Sequence, residues 1–185
     1  MIIYTAITGR DELREDIKCF TKFDEFKRPV LNAKIYKILP WNFLDTDISL
    51  WVDGNSFPLK TENEYLELLG DNDMVVFKHP TRSTVLEEKS AIQFYYPQHF
   101  LMAEMYWKRL EKLGFKDNQG LYHCANILRR HNDKVKHFCS LWWSEIMLCS
   151  RDQMSFPYVK SLTDLKIKVA DDNDYFKIYN HKDLK

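Results

Sequence analysis

The chain has 185 residues, 45% of them hydrophobic and 15% aromatic, which suits one folded domain spanning 1–185 with a proper core. With 5 Gly and 6 Pro it is no low-complexity chain, and its formal net charge of zero argues against binding duplex nucleic acid through a basic excess. Local basic patches stay open; Arg129, Arg130, Lys134 and Lys136 are the dense candidates.

Ile2–Ile7 reads as a first strand, broken by Thr8-Gly9. It is too short to cross a bilayer and no basic region precedes it, so neither a signal peptide nor a membrane span is expected. The four cysteines, Cys19, Cys124, Cys139 and Cys149, form no C-x-x-C pair and no zinc spacing. They read as free thiols of a cytoplasmic protein.

Ile17–Phe20 is a second expected strand. After Pro29, apolar Leu31, Ile35, Ile38 and Leu39 recur at helical spacing as far as Pro40. Lys34 and Lys37 share a different face, three residues apart, as a solvated pair or as point charges for a diphosphate.

Next comes I-S-L-W-V-D-G-N, Ile48–Asn55. Its near-continuous apolar run is that of a strand buried on both faces in a parallel sheet. Asp53 and Asn55 then follow the strand's carboxyl end, where open α/β sheets bind ligands. Two oxygen ligands flanking a glycine suit a hard cation such as Mg²⁺ or Mn²⁺, and they also suit an ordinary turn.

Thr61 and Glu64 form a capping-box pattern before a helix. Met74–Phe77 is a short strand ending in Lys78-His79-Pro80, and His79 and Arg82 belong to a polar segment able to line a cleft. Thr84–Phe94 and Pro97–Leu113 read as helices, Leu121–Leu128 as a strand, and Val135, Phe138, Trp142 and Ile146 as the apolar stripe of a helix ending near Leu148. Arg129-Arg130-His131-Asn132 lies between strand and helix, with Asn132 or Asp133 as N-cap. Trp143 is a candidate sugar-stacking ring beside a core Trp142. Ser150–Gln153 reads as a polar turn, either a cap at a helix boundary or a source of a carboxylate and an amide for a polar substrate. Ile167–Val169 is a late strand, and Tyr175, Phe176, Ile178 and Tyr179 pack the tail onto the body. The alternation of strands and helices predicts an α/β fold with three α/β/α layers and a mostly parallel central sheet. Small and hydroxyl residues at the first strand's end, Thr5, Ala6 and Thr8, let a ligand approach the backbone, but no glycine-rich phosphate loop is present.

In this order Y-T-A-I-T-G, A-K-I-Y-K-I, L-W-V-D-G-N, K-H-P-T-R, L-R-R-H-N, W-W-S-E-I and S-R-D-Q-M-S-F resemble the GT-A-like glycosyltransferases long catalogued as a domain of unknown function, plant rhamnogalacturonan galacturonosyltransferases among them. The resemblance runs from Ile2 to Tyr158. It implies a GT-A-like (Rossmann-like) fold, a nucleotide-sugar donor, UDP-linked, a divalent metal (Mn²⁺ or Mg²⁺) and a glycan or other hydroxyl acceptor. Asp53 and Asn55 match the family's D-x-D position, with an amide in place of the second acid. Lys37 matches a basic position, and Lys34 stands where the family often has Arg. Thr5, Ala6 and Thr8 complete the donor side. Arg151, Asp152 and Gln153 match the catalytic carboxylate–amide stretch, and His181 matches the late metal-ligand histidine. His79, Arg82, His131 and Trp143 are the acceptor-side candidates. Two alternatives stand beside the transferase: a sugar- or nucleotide-binding module without turnover, and a transferase acting on a nucleic-acid base.

Overall fold

The computed structural model describes residues 1–9 and 14–179. Eight strands lie among them: β1 (Ile2–Ala6), β2 (Lys18–Phe20), β3 (Ile48–Val52), β4 (Ser56–Pro58), β5 (Met74–Lys78), β6 (Tyr122–Arg130), β7 (Ile167–Ala170) and β8 (Phe176–Ile178). Six of them form the central sheet in the order β2-β1-β3-β6-β5-β7, and β4 pairs with β8 in a separate ribbon. β1 runs parallel to β2 and β3, and β5 runs parallel to β7; only β6 is antiparallel to its neighbours. The expected mostly parallel sheet is therefore present.

Strand β3 is buried on both faces, as its apolar run requires. Side chains alternate along a strand, so Trp51 points to one layer and Leu50 and Val52 to the other. The first layer holds α1 (Pro29–Ile38), α5 (Asp133–Leu148) and α6 (Asp152–Ser161), whose Leu31, Phe138, Trp142 and Phe156 pack on Tyr4, Trp51 and Ile127. The second layer is α2 (Glu62–Leu69) with the tail residue Phe176, over Leu50, Val52, Val75 and Phe77. Two further helices, α3 (Val85–Tyr95) and α4 (Pro97–Lys112), pack together beside α6 around Val85, Ile92, Leu110 and Met154.

Local chemistry sets the ends of these helices. Thr61–Glu64 and Thr84–Glu87 both close as capping boxes, and Asn132 caps α5 by accepting from the Val135 N–H. Pro97 opens α4, and Gly114 just past its end adopts φ 73°, a left-handed conformation that glycine takes without strain.

One element departs from expectation. Asp152–Ser161 is helical, where the sequence reads as a polar turn leading into an aromatic segment. Pro157 inside it, lacking an N–H, makes the stretch look like a break. Among the described residues no helix is long and apolar enough to cross a membrane.

Candidate functional site

Asp53 continues the β3 ladder by one bond, its N–H donating to the Ala125 carbonyl at 2.8 Å. The chain then turns, with the Ser56 N–H donating to the Asp53 carbonyl at 2.9 Å. Gly54 packs closely here, since a Cβ would sit 3.3 Å from the Ile7 side chain and push it by a few tenths of an ångström. Arg14 braces the turn from below. Its guanidinium donates to the carbonyls of Gly54 and Ser56 at 3.3 and 2.9 Å and lies 3.9 Å over the Phe57 ring.

Helix α1 brings Lys34 and Lys37 to this turn on one face. Lys37 Nζ lies 3.3 Å from Asp53 Oδ1 and 2.7 Å from Asp152 Oδ2. Lys34 Nζ lies 2.8 Å from the same Asp152 oxygen. Trp51 Nε1 donates to Asp53 Oδ1 at 2.8 Å and fixes that carboxylate from the strand side. Asp152 opens α6, where a negative charge is favoured by the helix dipole.

These charges are strongly coupled. Burial pushes the Asp152 carboxyl up, but the Lys34 and Lys37 ammoniums outweigh it and hold Asp152 well below the usual carboxylate range. Burial also disfavours charged Lys37, and Asp152 and Asp53 overcome it, raising Lys37 above the usual lysine value. Asp152 and Lys37 are therefore both ionised near neutral pH.

The cluster forms one wall of a cleft of about 490 Å³ at the carboxyl ends of β1 and β3. The cleft gathers Ala6, Lys34, Lys37, Asp53, Asn55, Arg151, Asp152 and Gln153, all expected site residues. The profile of the TOD1/MUCI70, glycosyltransferase-like domain family matches residues 20–184. The chain belongs to that family.

No curated protein matches the chain. Among solved structures it is similar to the A197 protein from STIV, with a TM-score of 0.47 and 10% identity over 97% of this chain and 85% of that one. It is also similar to WbbM, a bifunctional glycosyltransferase solved without ligand, with a TM-score of 0.47 and 12% identity over 83% of this chain and 28% of that one.

Other expected residues of this glycosyltransferase-like domain lie elsewhere. Thr5 follows the strand alternation away from Ala6 and is buried. Thr8 lines a separate hollow with Thr21 and Lys22. His79 is buried behind the cleft, its Nδ1 accepting the N–H groups of Thr81 and Arg82 at 3.2 and 3.1 Å. Arg82 donates to Glu88 at 2.7 Å and braces rather than lines the cleft. His131 sits at the far end of β3, its ring 2.8 Å from Ser49 Oγ. Trp143 packs on Phe26, with ring centroids 5.6 Å apart. His181 lies outside the described residues.

For a divalent metal, the described residues contain no group of three or more His, Cys, Asp or Glu side chains able to hold one. Asn55 donates its amide to the Tyr179 carbonyl at 2.7 Å. With Asp152 held by Lys34 and Lys37, the cleft presents the Asp53 carboxylate and the Asn55 amide oxygen, two ligands rather than a dedicated protein cage.

The structure also adds residues that sequence reading missed. Tyr96 lines the cleft and carries the Arg151 guanidinium 4.5 Å over its ring. His123 of β6 lines the cleft too, paired through Nδ1 with Asp172.

Proposed function

We propose that this domain transfers a sugar from a UDP-linked donor to an acceptor hydroxyl. The observation that carries the reading is the pair of ammonium groups, Lys34 and Lys37, converging on Asp152 beside Asp53 in the cleft. Glycosyl transfer must stabilise a departing nucleoside diphosphate, and pre-placed cations meet charge as it develops on the leaving oxygens. The small side chain of Ala6 leaves the β1 end open to the donor. Asp53 and the Asn55 amide would hold a Mg²⁺ or Mn²⁺ shared with the diphosphate, and such an ion supplies further neutralisation of the leaving group. Arg151 and Gln153 then face the sugar. Asp152, held by two lysines, orients them and shapes the field. The four free cysteines fit a reducing, cytoplasmic setting.

A binding module without turnover is the second reading. It is favoured by Asn55, an amide whose nitrogen is already engaged by Tyr179. A nucleic-acid acceptor has less support, because the basic stretch is engaged elsewhere. Arg129 is buried, Arg130 donates to the carbonyls of Gly70 and Asn72, and Lys134 pairs with Asp164.

The test is a thermal-shift panel of nucleoside diphosphates and nucleotide sugars with and without Mn²⁺, followed by assay of UDP release. A ligand at 100 times its Kd adds about 2.7 kcal/mol. UDP stabilisation with UDP release supports the transferase. Stabilisation alone supports the binding module, and the absence of both rejects the donor site.

A further inference from the structure

Among the titratable groups that line the cleft, most have their chemistry already engaged. Asp152 Oδ2 takes both lysines, and Asp53 Oδ1 takes Lys37 and Trp51 Nε1. Held in its charged form by both lysines, the Asp152 carboxylate is a weak proton acceptor. The Cys124 thiol is buried, and burial pushes it up, so it stays protonated. Lys37, raised by Asp152 and Asp53, carries its proton. His123 is different. Its side chain is 25% exposed, and its Nε2 has no hydrogen-bond partner among the described residues.

The ring is held in place by a buried polar chain. Asp172 pairs with His123 Nδ1 through Oδ2 and accepts from Asn126 Nδ2 through Oδ1 at 3.2 Å. Asn126 Oδ1 in turn accepts from Ser56 Oγ at 2.7 Å. Ser56 belongs to the Asp53 turn, so the chain ties His123 to the donor side of the cleft. With Nδ1–H donating to Asp172, the neutral tautomer leaves Nε2 as an acceptor. Such an orienting carboxylate is what a histidine base needs.

We propose that His123 is the general base for the acceptor and Asp172 its positioning residue. The inference rests on the glycosyltransferase reading. In the step, the acceptor oxygen attacks the anomeric carbon while its proton passes to His123 Nε2. The carbon–oxygen bond to the diphosphate breaks, and its electron pair leaves on the phosphate oxygen beside Lys34 and Lys37. The imidazolium then returns its proton to water. A single direct displacement inverts the anomeric configuration. The charged and titratable groups around the ring are Asp172, bonded to it, and His79, with its ring centroid 6.1 Å away; Asp53, Asp152, Lys34, Lys37 and Arg151 line the rest of the cleft.

The experiment uses the full chain with a panel of UDP- and GDP-hexoses and uronic acids, simple glycosides as acceptors, and Mn²⁺. His123→Ala is expected to lose about 10²-fold or more in turnover, the scale of a general base, with UDP affinity and melting temperature close to wild type. Added imidazole is expected to restore part of the rate, and the acid limb of the wild-type pH–rate profile is expected to vanish in the variant. Asp172→Asn is expected to slow turnover and displace that limb, because an amide donating to Nδ1 leaves the proton on Nε2. The product of the intact chain is expected to show the inverted anomer. A retained anomer overturns the base assignment, as does His123→Ala turnover within about three-fold of wild type. A loss that imidazole cannot restore and that comes with weaker UDP binding assigns His123 to holding the donor, and overturns the assignment too. If the intact chain transfers from none of the donors, the glycosyltransferase reading falls and the inference with it. Wild-type transfer that survives in His123→Ala removes the inference alone.

Discussion

Two buried ion clusters meet at Arg151 and Asp152, and they are built to different ends. In one, Glu88 is 1% exposed and each carboxylate oxygen takes a guanidinium, Arg82 at 2.7 Å and Arg151 at 3.1 Å. In the other, a single oxygen of Asp152 takes both Lys34 and Lys37, and the neighbouring Asp53 side chain is 39% exposed. An ammonium has three donors, so the lysines keep hydrogen-bonding capacity that the cleft can use. The first cluster is closed and braces Arg151; the second is open toward a cavity. The acid–base composition is similar in both. Unfilled capacity beside a cavity is what marks a ligand site.

The largest effect expected is on the closed cluster. Glu88→Gln leaves two guanidiniums facing a neutral amide, and removing one partner of a buried ion pair costs about 3–5 kcal/mol. Urea unfolding measures the loss. UDP affinity of the folded fraction should change little, and an equal collapse of both would merge the two clusters into one functional unit. Asp152→Asn acts on the open cluster. Hydrogen bonds to charged groups contribute about 1.5–3 kcal/mol, so its stability cost should be smaller, because Asp53 still faces Lys37. UDP should bind no more weakly, since a competing anion is gone, while turnover falls about 10²-fold. Calorimetric titration beside steady-state assay separates the two, and a large loss of UDP affinity would show that Asp152 positions the lysines more than it competes for them.

The legible parts of the molecule are those whose causes are local in the chain. Burial on both faces makes β3 a continuous apolar run, so the place of Asp53 follows from five residues. Helical spacing puts Lys34 and Lys37 on one face. The helix after Arg151 was hidden by Pro157, although Asp152 itself stood out as a charge among aromatic neighbours. His79, Arg82 and His131 looked like cleft residues because polar groups after a strand often are. Their partners Glu88 and Ser49 are brought in by tertiary packing and show in no local pattern. The His123–Asp172 pair spans 49 residues, and a histidine between Tyr122 and Cys124 carries no periodic signal.

A milder probe of the open cluster is Lys37→Ala. It removes the cation shared by Asp53 and Asp152 but leaves Lys34 on Asp152. UDP affinity is expected to fall about ten-fold, or about 1.4 kcal/mol, with uridine affinity unchanged. Equal losses for UDP and uridine would make Lys37 a folding residue and move the diphosphate elsewhere.

The last test concerns acid, and it again separates the clusters. Asp152 is held low and Lys37 high, so that pair of the open cluster keeps its charges through the mildly acidic range. The closed cluster includes His79. Burial first, then the Arg82 charge, lowers its pKa to about 4. Protonating Nδ1 would also break the bonds it accepts from the Thr81 and Arg82 N–H groups. His131, lowered to about 4 by burial and then by Arg129, behaves alike at the far end of the sheet. In the unfolded chain both histidines take up a proton near 6.5. Between pH 6.5 and about 4 the unfolded state binds more protons than the folded one. Stability is thus full above 6.5 and falls as pH drops through that window, by at most about 1.4 kcal/mol per pH unit for each histidine. Melting curves at pH 6.5 and 5.5 measure it. His79→Asn, whose Oδ1 can still accept those two N–H bonds, should flatten about half of the slope, and His131→Asn the rest. A slope unchanged in both variants would place the acid sensitivity in carboxylates and remove His79 from the closed cluster's account.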